Sequence, residues 1–473
     1  MPHLPAEILC LVVAELTEVK DRLCLLQTCR QWRALLSNEV YRSLQISGVQ
    51  IRRLLALALH NPQLALSIRE LDVFWSKYHA DGRDKVPLEE AVLALVDRTA
   101  RAEEAEKLRA DLNGGDGDAW VALLLISLPN LTHLAGYWEN PTPWITRILS
   151  RVALRQHPFD VHPVLQCLTS LTTTSDDNHD YYAPYQFLPF LYLPSMRELS
   201  LSAVKDYEVL PREEEEEEGH PAIRAARGTS PVTSLTLEND CNGRYGMVDF
   251  ITACANLKRF TYQHFFQVVW GSRYSEFRPR LFYTPLYTQR HSLEVLHLNH
   301  EGDCDDSGDD SEDEDDEWPA PYNRWFGSLA DFARLQELRI RLPNLLNIHP
   351  KDTHEVVTLK DILPRSIRYL HLTDCAEEHS SLLVTNLQDL LSKHAALFPS
   401  FEEILICSSS AESPDPRPPL PQFSGPYRER DIRISSTQSA QFAALKDICS
   451  GLGIKFTLSL GDAYRVRYAD DKD

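Results

Sequence analysis

The chain has 473 residues, 43% of them hydrophobic, which is enough for a large core and long for one compact domain unless a repeated architecture extends it. Acidic side chains outnumber basic ones by 69 to 48, and the net charge of −21 argues against a general nucleic-acid binder, whose phosphate contacts need Lys and Arg. No apolar run reaches the roughly 20 residues of a membrane span. We therefore expect no membrane partner and a soluble protein of the cytoplasm, the nucleus or both.

The first 45 residues predict three short helices. Pro5 suits the first position of a helix and Glu7 its first turn. The apolar residues that follow recur at helical spacing: Ile8, Leu9, Val12, Val13 and Leu16. A second helix starts near Asp21 and a third carries Trp32. A core of this size is marginal alone. Leu4, Pro5, Ile8 and Leu9 would leave an apolar surface at one end of the helices, which indicates a docking surface.

These residues also carry a resemblance. The strings L-P-A-E-I-L at 4–9, D-R-L at 21–23 and C-R-Q-W-R at 29–33 resemble an F-box in order and spacing. F-boxes bind the Skp adaptor of SCF-type (Skp-cullin-F-box) ubiquitin ligases, and the rest of such proteins recruits a substrate. The resemblance implies these adaptor-binding residues: Leu4, Pro5, Ile8, Leu9, Leu16, Leu23, Cys29, Trp32 and Arg33. The last three would hold the helices together and complete the surface.

A degenerate L-x-x-L-x-L template recurs through the rest of the chain. It starts at Ile68, Leu131, Leu168, Met196, Val232, Leu257, Leu293, Leu335, Ile367 and Phe401. Helix-like stretches lie between the copies, at 88–112, 119–128, 247–254, 325–334 and 382–397. Alternating helices and parallel strands predict an α/β solenoid with the apolar template positions buried and the x positions on the concave face. This region resembles the irregular leucine-rich repeats of fungal F-box proteins.

The predicted organisation is an α/β chain with a three-helix F-box at 1–45, a leucine-rich-repeat-like solenoid at 46–410, a Pro-rich loop at 411–426 and a capping unit at 427–473. Acidic disordered insertions are expected at 211–230 and 301–318. Six glutamates at 213–218 and twelve acids at 301–317 supply 18 of the 21 excess negative charges, so the remainder is nearly neutral. The case against nucleic acid then rests on the lack of a basic motif.

The longer acidic insertion contains two further patterns. Ser307 and Ser311 each have an acid three residues on, which suits an acidophilic kinase. Five residues match the spacing of an EF-hand loop: Asp303, Asp305, Ser307, Gly308 and Glu314. No amphipathic helix follows Glu314, so we predict no metal site. The sequence contains no phosphate-binding, dinucleotide-binding, nucleophile-elbow or zinc-protease motif, and we expect neither a cofactor nor an enzyme.

The outward x positions supply the substrate-binding candidates: Tyr137, Arg259, His297, Arg339, Arg341, Tyr369 and His371. The last four lie on adjacent predicted strands, where a basic and aromatic patch would suit an acidic or phosphorylated segment. One of the chain's own acidic loops could cover this patch instead. The resemblance implies a non-catalytic substrate receptor of an SCF ubiquitin ligase, with the Skp adaptor, cullin through it, and an unidentified protein substrate as partners. The alternative is a protein-binding scaffold that uses the F-box without ubiquitin transfer.

Overall fold

A computed structural model describes residues 6–16, 19–75, 88–137, 142–174, 181–206, 226–239, 241–243, 245–265, 277–301, 325–348, 357–408, 411–412, 433–434 and 436–460. The chain divides into two compact units. The first comprises Met1–Asn242 with Asp249–Asn256, and the second Gly243–Val248 with Leu257–Asp473.

The first unit begins with three helices: α1 (Ala6–Glu15), α2 (Val19–Thr28) and α3 (Arg30–Val40). Six parallel strands follow, paired in chain order: β1 (Ser43–Ser47), β2 (Glu70–Phe74), β3 (His133–Tyr137), β4 (Ser170–Thr173), β5 (Glu198–Ser202) and β6 (Ser234–Glu238). Helices connect several of them: Val49–His60, Pro62–Ser67, Glu90–Thr99, Ala102–Gly114, Gly117–Ile126, Pro143–Ala153 and Leu188–Leu191, with a 3-10 turn at Pro184–Gln186. The helix Val248–Ala253 comes after β6 in the chain.

The second unit repeats the scheme. Its parallel strands pair in the order β7 (Arg259–Phe265), β8 (Val295–Glu301), β9 (Glu337–Arg341), β10 (Tyr369–Thr373), β11 (Glu403–Ser408) and β14 (Lys455–Leu460). The short strands β12 (Ala411–Glu412) and β13 (Arg433–Ile434) form an antiparallel pair. The helices are Pro279–Tyr287, Leu342–Leu346, Leu359–Ile362, Ser380–Ser392, His394–Leu397 and Ser436–Leu452, with a 3-10 turn at Glu377–His379.

The template accounts for where the strands form. Each of its ten copies starts two residues before a strand, and its first, fourth and sixth residues are buried. At β8, for example, Leu293 just before the strand and Leu296 and Leu298 within it are fully buried, while His297 is half-buried on the opposite face. Alternation along each strand therefore places the apolar side chains against the helices and leaves the x positions on an open face. The prediction of an α/β fold with parallel neighbouring strands is confirmed in each unit.

Three predicted helices are corrected. The stretch 382–397 belongs to two helices, Ser380–Ser392 and His394–Leu397, which are separated at Lys393. The stretch 88–112 forms two helices because Ala100 and Arg101 adopt extended backbone, and the Glu104 carboxylate accepts the Arg101 N–H at 3.2 Å to start the second helix. The stretch 325–334, predicted as helical, forms turns. Its backbone donors find remote partners: Phe326 N–H bonds Asn344 O at 2.9 Å, and Leu329 N–H bonds Ile362 O at 2.8 Å.

The last helix of the second unit is fixed by one buried amide. Gln438 is fully buried, accepts a hydrogen bond from Ser408 Oγ at 2.6 Å, and donates to Cys375 O at 3.1 Å and Ser380 Oγ at 3.0 Å. These bonds join the end of β11 and the segment from the loop after β10 to the start of the helix Ser380–Ser392 to the helix Ser436–Leu452. A buried amide with all these partners specifies one arrangement of the three segments.

We expect Gln438→Ala to lower the free energy of unfolding of the second unit by about 3 kcal/mol, because three buried partners lose their hydrogen bond. Urea unfolding followed by circular dichroism measures the loss. Gln441→Ala, on the same helix, is the matched control, since within the described residues Gln441 Oε1 has no hydrogen-bond partner. Equal losses in the two variants would show that the amide network is not what holds this helix.

Among the described residues, none of the helices has both the length and the apolar character needed to cross a bilayer.

Candidate functional site

Among the described side chains of the three N-terminal helices, four form a buried cluster. Val13 of α1, Leu26 of α2, and Leu36 and Val40 of α3 are each at most 6% exposed. Trp32 packs partly against this cluster, together with Leu25 and Tyr41. This cluster takes members from all three helices and joins them.

Polar contacts tie the helices together at their ends. Arg22 Nε donates to Leu16 O at 2.6 Å, and Arg33 Nε donates to Leu26 O at 3.3 Å, which connects α3 to α2. Cys29 Sγ accepts the Trp32 N–H at 3.4 Å, at the first turn of α3. These contacts give Cys29, Trp32 and Arg33 a structural role within the helical unit. Their participation in adaptor binding stays a prediction.

An apolar ridge remains exposed on α1. Ile8, Leu11 and Val12 lie at helical spacings of three and four residues and are 43%, 62% and 43% exposed. Side chains at these spacings share one side of a helix. Three adjacent exposed aliphatic side chains on a ten-residue helix form a surface suited to a protein partner.

The predicted adaptor-binding residues divide into four groups. Ile8 lies on the ridge, Leu16 and Trp32 are half-buried, and Cys29 and Arg33 are exposed. Leu4 and Pro5, and the side chains of Leu9 and Leu23, lie outside the described residues. The sequence interpretation did not include Leu11 or Val12 among the adaptor-binding residues. The signal was available, because α1 is apolar on all sides from Ile8 to Ala14, a pattern typical of a helix covered by a partner.

Strands β8, β9 and β10 bring five of the predicted substrate-binding residues together in the second unit. Their register places His297, Arg339 and His371 in one row across the strands, and Tyr369 beside Glu337 in the next. Arg341 lies further along β9, and the exposed Arg259 stands in the row of Val295 and Glu337. The predicted adjacency of these strands is confirmed, and substrate binding by them stays a prediction. Tyr137 belongs to the first unit and is 2% exposed.

The positive charge of this patch is largely compensated. The Arg341 guanidinium pairs with Asp374 at 2.6 Å, and His297 Nε2 lies 2.9 Å from Glu337 Oε1. The hydrogen bond from His297 lowers the pKa of Glu337, which keeps that carboxyl ionised. Arg339 is 6% exposed, and the Tyr369 hydroxyl donates to Glu402 at 2.7 Å. The patch therefore presents much less free positive charge than its sequence indicated.

His371 contributes no charge at neutral pH. Burial, followed by the nearby Arg339, lowers its pKa to about 4, and its Nε2 lies 3.1 Å from Cys407 Sγ. A lowered pKa means that the fold favours the neutral ring. This contribution to stability is therefore present above pH 6.5, the ordinary histidine value, and is lost as the pH falls through about 4.

We expect the His371 ring to titrate near pH 4 in the folded protein. NMR of the chain labelled with ¹³C-histidine would follow the ring carbons, and the His371→Gln spectrum would assign the signal by its disappearance. A midpoint at pH 6 or above would contradict the burial of this ring.

The described residues contain no other obvious chemical centre. Within them, no three His, Cys, Asp or Glu side chains come together as metal ligands. The acidic segments, with Ser307, Ser311 and the EF-hand-like spacing, lie outside the described residues, apart from 226–230 and Glu301. The Pro-rich loop lies outside them apart from Ala411–Glu412.

Comparison with known families agrees with both parts of the chain. A family model described as F-box-like matches residues 1–47, and one described as a leucine-rich repeat domain matches residues 87–412. The resemblance seen in the sequence is thereby confirmed. A search of curated proteins gives no match.

Proposed function

Because the chain belongs to the leucine-rich repeat family and carries an F-box-like domain at its N-terminus, we propose that it is the substrate-recognition subunit of an SCF-type ubiquitin ligase. F-box and leucine-rich-repeat domains serve protein interaction in such assemblies, typically without catalysis. In this proposal the F-box helices dock the Skp adaptor, cullin joins through the adaptor, and the repeat region holds a protein substrate.

The observation that carries the proposal is the exposed ridge of Ile8, Leu11 and Val12 on the first of three helices joined by a buried cluster. A partner that covers the ridge would remove three half-exposed aliphatic side chains from water, at roughly 25 cal/mol per Å² of apolar surface. The open strand faces support the second half, because their x positions carry polar and aromatic side chains instead of core residues.

The chain itself would perform no chemistry. A receptor accelerates ubiquitin transfer by holding the acceptor lysine close to the charged conjugating enzyme, which converts a bimolecular encounter into an intramolecular one. Only the substrate-binding surface and the adaptor-binding surface need to be specific. A receptor of this kind needs two interaction surfaces and no catalytic motif, and the sequence contains none of the catalytic motifs named above.

Co-purification tests the proposal. The full chain, mixed with purified Skp adaptor, is expected to elute from a sizing column as a stable complex. Absence of a complex would overturn the proposal. Affinity purification under proteasome inhibition, followed by mass spectrometry, would then identify captured proteins. Ubiquitination of a captured protein by the reconstituted ligase supports the receptor role, whereas capture without ubiquitination supports the scaffold alternative.

A further inference from the structure

On the open face of the first unit, the outward strand positions carry more acidic than basic side chains. Its outward positions on β1–β6 hold four acids and no lysine or arginine: Glu70, Asp72, Glu198 and Glu238. The only ionisable side chain of basic type at these positions is His133. The apolar template residues of these strands point to the opposite face and are at most 2% exposed. The charged side chains of the strands therefore all lie on the open face.

The centre of this face is flat. The middle row across the strands ends in small side chains, which the register aligns as Ala135, Thr172, Ser200 and Thr236. Each is half-exposed. Short side chains let the main chain of a bound peptide approach the sheet closely. Asp72 stands at the β2 end of the same row, and Glu70 and Glu198 stand in the preceding row of outward residues.

An aromatic side chain borders the same row. Phe74 is 41% exposed although it lies in a strand interior to the pairing order, and its ring centroid lies 5.5 Å from that of the buried Tyr137. The register pairs Phe74 with Tyr137, so the two rings lie side by side on neighbouring strands. An exposed aromatic face attracts an arginine or lysine in addition to the neighbouring carboxylates.

Three exposed arginines, Arg42, Arg69 and Arg197, directly precede β1, β2 and β5 and so lie beside Glu70 and Glu198. Arg42 approaches Glu70 at 3.9 Å and Glu39 at 3.7 Å, through exposed side chains that hold each other weakly. Arg197 donates to its own loop, at Met196 O and Pro194 O. Asp72 accepts a hydrogen bond from the neutral Gln45 at 3.2 Å, which does not offset its charge.

From this charge pattern we infer that the open face of the first unit binds an extended, arginine- or lysine-rich segment of the substrate. The inference rests on the proposed function, in which the repeat region holds a protein substrate. It adds the chemical class of substrate segment that this face would bind. Strands lie about 4.8 Å apart, so β2 and β5 are separated by about 14 Å, which an extended peptide covers in about four residues. Basic residues four apart would therefore meet the acids of β2 and Glu198 of β5.

Fluorescence anisotropy with the full chain tests this. The probe is a labelled peptide of about 12 residues with arginine at every fourth position in a Gly/Ser background, and the comparison peptide has glutamate instead. Asp72→Asn with Glu198→Gln is expected to weaken arginine-peptide binding about fivefold or more, and Phe74→Ala to weaken it further. The control is Glu103→Gln with Glu106→Gln, two exposed acids on the helix Ala102–Gly114 that remove the same charge elsewhere.

The control decides between the face and the general acidity of the chain. Equal weakening in both double variants would mean that the peptide responds only to the net charge of −21, and the inference falls. Equal or tighter binding of the glutamate peptide would also overturn it. Adaptor binding, measured on the same proteins, is expected to be unchanged. Loss of adaptor binding in the wild type would count against the proposed function alone.

Discussion

Leu11→Asp is expected to weaken binding of the Skp adaptor by about 30-fold or more while leaving the fold intact. Leu11 is 62% exposed, the most exposed of the three ridge residues, so the free chain tolerates a charge there. In a complex the carboxylate would be buried against apolar surface without a partner, at a cost of 2 kcal/mol or more by order of magnitude. That cost corresponds to about 30-fold in the dissociation constant.

Isothermal titration calorimetry with purified adaptor gives the affinity, and thermal melts of the free variant check its fold. Leu57→Asp is the matched control, because Leu57 is 56% exposed on the helix Val49–His60 and lies outside the three F-box helices. The control is expected to bind as the wild type does. If Leu11→Asp bound within about threefold of the wild type, the ridge would not be the docking surface.

Leu11 also shows where prediction from the sequence stopped. An apolar pattern fixes which residues lie on a helix but does not state which side its neighbours cover when every side is apolar. The buried face of each repeat strand was easier to predict, because alternate residues of a strand point to only two faces. All ten template copies coincide with strands, including the copy at Leu168, whose sixth residue is a threonine instead of an apolar residue.

The charge state of the substrate patch could not be predicted in the same way. Arg341 and Asp374 are 33 residues apart in the chain, and they meet because Asp374 follows β10, the neighbour of β9. The neutral state of His371 depends on its burial, which the spacing of polar residues along one strand does not indicate. Likewise, residues 325–334 have helical spacing of apolar residues but bond to distant carbonyls instead. Local patterns therefore predict where the strands lie. The charge that the patch presents depends on contacts between repeats, which the local pattern does not show.

The second large effect concerns a carboxyl group buried in the first unit. Asp118 is 1% exposed, and its two oxygens accept the backbone N–H groups of Trp144 at 2.5 Å and Ile145 at 3.1 Å. These are the first donors of the helix Pro143–Ala153, whose N-cap residue Thr142 makes no side-chain cap. Asp118 thus caps a helix that begins 25 residues further along the chain.

Asp118→Ala is therefore expected to destabilise the first unit by about 3 kcal/mol, since it leaves two buried donors unsatisfied. Asp118→Asn keeps an acceptor oxygen and is expected to lose less. Urea unfolding measures both, with Asp160→Asn as a control at an exposed carboxylate. A loss below about 1 kcal/mol for the alanine variant would show that the helix start does not depend on this cap.

The same residue makes the stability of the first unit depend on pH. Burial raises the pKa of Asp118 to about 8, against the lowering effect of the two backbone hydrogen bonds. A raised pKa means that the folded state holds its proton more tightly than the unfolded chain does. The resulting stabilisation is complete below pH 3.8 and is lost as the pH rises through about 8.

We therefore expect the wild type to lose stability relative to Asp118→Asn between pH 5 and pH 8, by on the order of 1 kcal/mol per pH unit. Comparing the two proteins cancels the titration of every group they share, including Asp116 and Arg147, whose charges act on Asp118. Parallel stability curves would mean that Asp118 is ionised in the fold throughout this range. The cap would then be a carboxylate held by its two hydrogen bonds and the helix N-terminus, and burial would not be the stronger effect.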